Sequence, residues 1–137
     1  MSRTAIAYIS ILVVFAAMDF CWLSATSATL YKPALGPLLS DKVQIVPAVL
    51  FYLIYLGGLV YFAVLPALQA GSWSRAAING ALLGLVAYAT YDLTNQATLR
   101  IWSTRVTLMD LCWGAFASAV AASASFAVTT WANRAIH

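Results

Sequence analysis

Charged residues divide the chain into uncharged, largely apolar stretches at 4–18, 43–74, 76–91 and 111–133. A helix needs roughly 20 residues to cross the hydrocarbon core of a bilayer. The second and fourth stretches reach that length unaided. The first and third hold 15 and 16 residues, and they reach it only if each helix continues through the aspartate that ends it, Asp19 or Asp92. The pattern therefore predicts an all-α fold, a four-helix transmembrane bundle forming a single domain over 1–137, with helices at about 4–25, 44–67, 74–97 and 106–132 and with Asp19 and Asp92 inside the membrane.

Between helices 1 and 2 lies the longest connection, with Lys32-Pro33, Gly36-Pro37 and Asp41-Lys42, and it is expected to hug the surface. Pro66 is expected to end helix 2, Gly71 to make the turn, and Ser72 or Ser74 to cap helix 3. Gly80 and Gly84 form a G-x-x-x-G on helix 3, and Ala115, Ser118, Ala119, Ala122 and Ser125 keep helix 4 small along its length. Small faces let backbones approach where no hydrophobic effect drives helices together. They serve packing within the bundle or, alternatively, a homo-oligomer interface.

Composition narrows the function classes. With 64% hydrophobic and 8% charged residues in 137, nothing is left for a soluble catalytic or nucleic-acid-binding domain, so the lipid bilayer is the one sure partner. The net charge of +3 reads as interface anchoring. Arg3 before an apolar run suggests a signal peptide, but Asp19 and Trp22 ahead of the small residues at 24–28 fit that pattern poorly.

Helices 1 and 3 run in one direction, and each meets its aspartate about 15 residues in, roughly 22 Å along the axis. Helix 4 runs the other way and carries Asp110 in its first turns, so all three carboxylates are expected at one leaflet. Met18-Asp19-Phe20-Cys21-Trp22 nearly repeats as Met109-Asp110-Leu111-Cys112-Trp113. Each aspartate has a planar hydrogen-bonding residue three positions on, Trp22, Asn95 or Trp113, which helical spacing puts on the same face. Around Asp92 the polar load includes Tyr88, Tyr91, Thr94, Asn95, Gln96 and Thr98, and such a helix end is expected to face the bundle or water. Arg100 and Arg105 are the only cations within easy reach.

Two readings follow. Either the arginines pair with the aspartates and the cluster fixes helix register, or Asp19, Asp92, Asp110, Asn95, Trp22, Trp113, Tyr88, Tyr91, Arg100 and Arg105 build a site that takes up a proton, a cation or a polar lipid headgroup. An accessory subunit of a larger membrane complex and a lipid-modifying enzyme are the alternatives. No histidine or glutamate completes a metal set, His137 being terminal, and no cofactor motif occurs, so no metal or cofactor is expected. Cys21 and Cys112 read as buried free thiols. Three cations, Arg3, Arg75 and Arg134, mark the N-terminal side and four, Lys32, Lys42, Arg100 and Arg105, the other. Discounting the two arginines as counter-ions puts the N-terminus in the cytoplasm.

Several segments carry a family resemblance: Asp19-x-x-Trp22-Leu23, Leu35-Gly36-x-Leu38-Leu39, Pro47-Ala48, Phe51-Tyr52-Leu53, Phe62-Ala63-Val64-x-Pro66-Ala67-Leu68, Ala97-Thr98-Leu99 and Asp110-x-x-Trp113-Gly114. Tyr88-Ala89-Thr90-Tyr91-Asp92-Leu93-Thr94-Asn95 is the most specific of them. Together they resemble the bacterial integral membrane family known as domain of unknown function 2177. That resemblance implies a multi-pass protein of the bacterial inner membrane and no established activity.

Overall fold

The computed structural model describes residues 1–136, and among these the chain is helical with no strand. Four helices are long and apolar enough to cross a membrane: α1 (Arg3–Leu38), α2 (Ile45–Ala70), α3 (Trp73–Thr98) and α4 (Thr104–Ile136). Short connections make consecutive helices antiparallel. Ser2 caps α1 through a bond from the Ala5 N–H at 3.1 Å, and Ser72 caps α3 through one from Arg75. Between α2 and α3, Gly71 takes a left-handed conformation at φ 61°, which a residue without Cβ adopts freely.

Two helices run further than the sequence suggests, and the reason is the same in both. Helix 1 continues through Pro33 to Leu38, and helix 2 continues through Pro66 to Ala70. Proline lacks an N–H and its ring crowds the carbonyl four residues back. In each case the turn before it widens into a five-residue π segment, Ser27–Tyr31 or Val60–Val64. The residue just ahead of the proline then bonds five positions back, Lys32 to the Ser27 carbonyl and Leu65 to the Val60 carbonyl. Pro66 has no proton to offer the Phe62 carbonyl, and Asn79 of α3 donates to that oxygen at 3.1 Å instead. The 27–38 stretch, expected as a surface connection, is thus a helical extension. It packs Leu30 and Leu35 on Val106 at the start of α4.

The core is held by close approach and a few internal hydrogen bonds. Gly80 and Gly84 face α4, where a Cβ on Gly80 would stand 2.7 Å from the Ser118 carbonyl oxygen and one on Gly84 would strike Gly114 and Ser118. The G-x-x-x-G therefore serves packing inside the bundle. Phe15 is fully buried, edge-on to Tyr52 and Tyr55 at 5.9 and 5.6 Å. Ser125 of α4 donates to the Ala7 carbonyl of α1 at 2.8 Å.

Candidate functional site

Three of the four aspartates gather at one end of the bundle. Asp92 of α3 is fully buried, Asp110 of α4 is 6% exposed, and Asp19 of α1 is half-buried. Helical phase explains the difference at Asp92, because its neighbours Tyr91 and Leu93 point outward while it turns in toward α4.

Tyrosines and tryptophans hold these carboxylates. Tyr52 of α2 donates its hydroxyl to Asp19, and Tyr31 of the α1 extension donates to Asp110. The tryptophans of the near repeat cross over between helices. Trp113, three residues beyond Asp110, donates to Asp19 at 3.4 Å. Trp22, three residues beyond Asp19, donates to the Tyr31 hydroxyl at 2.9 Å and so supports Asp110 through that tyrosine. Their indoles stack 4.6 Å apart at an interplanar angle of 7°. Each indole thus serves the aspartate of the other helix, directly or through Tyr31, and Asn95 takes no part in this exchange.

Asp92 stands apart in its bonding. Neither of its carboxylate oxygens has a hydrogen-bond partner among the described residues. The Asp110 carboxyl lies close enough for the two acids to share a hydrogen bond when one carries a proton. Tyr88 lies within electrostatic reach of Asp19 and Asp110, its ring against Gly114, where any Cβ would collide with it. Nearby, the Tyr55 hydroxyl and Ser118 hydroxyl are 2.6 Å apart.

Other residues singled out from the sequence lie outside this centre. Arg100 and Arg105 are exposed, and the bonds to Asp19 and Asp110 come from other residues. Asn95 is half-buried and bonds none of the aspartates. Tyr91 is exposed and packs edge-on against Trp102 at 5.8 Å. Thr94 and Thr98 are exposed too. Their hydroxyls donate to carbonyls four residues back in the same helix, which satisfies them without a partner helix. Gln96 instead ties α3 to α4, donating to Thr104 at 3.0 Å and accepting from Thr107 at 2.8 Å. Cys21 and Cys112 are free but exposed, so their lack of a partner reflects outward orientation. Tyr31 was not among the residues singled out. The signal for Tyr31 was the Lys-Pro that follows it, since proline is well tolerated in the first turn of a helical segment.

Among the described residues no group of three or more His, Cys, Asp or Glu converges tightly enough to hold a metal ion. A cleft of about 610 Å3 adjoins the acid pair, lined by Phe51, Ala87, Tyr88, Thr90, Tyr91, Thr94 and Asp110. Proton exchange, cation binding and recognition of a hydrogen-bond donor are all within the chemistry of such an acceptor-rich centre. No curated protein and no protein of solved structure matches the chain. A family model described as a predicted membrane protein matches residues 4–127, nearly the whole length, and the chain belongs to that family, domain of unknown function 2177.

Proposed function

We propose that Asp92 and Asp110 form an exchangeable site for one positive charge, a proton or a small cation, near one face of the membrane. The observation that carries this reading is a fully buried carboxyl with no donor on either oxygen, set beside a second buried carboxyl. Two bare carboxylates out of water repel, and each loses hydration that nothing replaces. A proton placed between them turns one acid into a donor for the other, and a bound cation offsets the same charge. A cluster that served only to lock helix register would be expected to satisfy Asp92, and the exposed arginines do not. Asp19, held by Tyr52 and Trp113, adds a third carboxyl within electrostatic reach of Asp110.

Membrane embedding follows from the family and the four apolar helices. We place the protein in a bacterial inner membrane. We place the acid end on the cytoplasmic side, the reverse of the orientation expected with Arg100 and Arg105 discounted as counter-ions, because both are exposed and count as topological signals, giving four cations there against three.

Infrared titration of the protein in lipid vesicles tests the acid pair. A protonated-carboxyl band that responds to pH and to exchange into heavy water is expected in the wild type and absent in Asp92→Asn and Asp110→Asn. A wild-type spectrum without a titrating carboxyl band, and without a carboxylate shift on adding sodium or potassium, overturns the proposal.

A further inference from the structure

The cleft beside Asp110 has features that uptake of a bare proton does not require. Its volume of about 610 Å3 falls within the range of roughly 300–1,000 Å3 occupied by small-molecule sites. It opens on the flank of the bundle, since Phe51 of α2 and Thr90, Tyr91 and Thr94 of α3 lie within the two apolar spans and are exposed, while Asp110 is buried. Access is therefore from the position that lipid chains occupy around a bundle.

Its lining restricts the head of any ligand. The Thr90 hydroxyl donates to the Val86 carbonyl at 2.7 Å and the Thr94 hydroxyl to the Thr90 carbonyl, so both present only lone pairs to the cleft. Asp110 is the one charged residue in the lining, and no lysine or arginine offsets it. Behind it stand the two unpartnered oxygens of Asp92. Phe51, Tyr88 and Tyr91 add aromatic rings, whose faces attract cations. The acid pair repels an anionic head, against which the Tyr88 and Tyr91 hydroxyls are the donors in the lining, and a neutral alcohol leaves the negative charge unbalanced.

We propose that the cleft binds a single-chain amphiphile with a protonated amine head, its ammonium against Asp110 and its apolar body reaching past Phe51 and Ala87 toward lipid. This rests on the reading of the acid pair as a site for one positive charge and names what can deliver that charge.

The test uses the full chain in phosphatidylcholine nanodiscs with bromine-labelled dodecylamine, dodecanol and dodecyl sulfate as probes. Trp102, packed on Tyr91, reports binding through quenching of its fluorescence. Saturable quenching is expected for the amine at concentrations about tenfold below those needed for either comparator. Filling the cleft by Ala87→Phe or by Thr90→Phe is expected to weaken the amine about tenfold in each case, and two independent variants guard against one misfolding. Equal, unsaturable quenching by all three probes, or binding of the amine that ignores both substitutions, overturns the assignment. The infrared titration is run without amphiphile. A titrating acid pair with no head selectivity removes only the ligand, and a silent pair removes the underlying site as well.

Discussion

At the scale of single residues, the site is organised by donors that reach across helices. Trp113 serves Asp19, and Trp22 serves Asp110 through Tyr31, so neither half of the near repeat is complete without the other. Two stacked indoles keep the helices at that spacing, and pairs of this kind contribute about 0.5–1.5 kcal/mol beyond the area they bury. Asp92 is the exception, because it is fully buried and unpartnered. Asp92→Asn keeps the shape and places an amide donor against Asp110. The variant is expected to be at least as stable as the wild type, by up to about 1 kcal/mol, while losing charge uptake. Reversible unfolding in mixed micelles measures this. A loss greater than about 2 kcal/mol would mean that the native carboxylate has partners that the amide forfeits.

At the scale of elements, two prolines are absorbed by widened turns, and each widening places something the bundle uses. The Ser27–Tyr31 turn carries Tyr31 over Asp110, and the Val60–Val64 turn exposes the Phe62 carbonyl to Asn79. If the missing proton of Pro66 is why Asn79 is needed, the two residues must be coupled. Asn79→Leu should cost roughly 0.6 kcal/mol with Pro66 present, a usual value for an interhelical hydrogen bond in a membrane protein. It should cost close to nothing in a Pro66→Ala background, where the helix can supply its own donor. A double-mutant cycle in bicelles gives the coupling directly, and additive effects would exclude the link. The four spans and the gathering of Asp19, Asp92 and Asp110 were legible in the sequence, because charge spacing gives span length and alternating direction gives the end at which each acid lies. Tyr31 was legible only as the residue before a helix-start Lys-Pro, not as a partner of Asp110. Hydropathy treats a proline as a helix end and carries no mark of a five-residue turn. Polarity at Thr94 and Thr98 did not decide between the bundle and water, because their hydroxyls are satisfied by their own backbone.

At the scale of the whole molecule, the two ends differ in charge in a way that makes orientation testable. All four acids, Asp19, Asp41, Asp92 and Asp110, lie at or beyond the same end, with Lys32, Lys42, Arg100 and Arg105. The opposite end carries Arg3, Arg75 and Arg134 with no acid. Net charge would therefore send the N-terminal end to the cytoplasm. The cation count, which governs insertion because acids contribute little, favours the acid end. The flanks of the first helix point the same way, with Arg3 before it against Lys32 and Lys42 after its first long segment. With Cys21 and Cys112 replaced by alanine, Ser74→Cys probes the short turn and Asp41→Cys the long connection, both at exposed positions. A membrane-impermeant thiol reagent applied to intact cells is expected to label position 74 and to reach position 41 only after permeabilisation. The reverse pattern would make net charge the deciding quantity. It would also turn the Asp92–Asp110 centre toward the outer face, so that any charge it takes up would come from outside the cell.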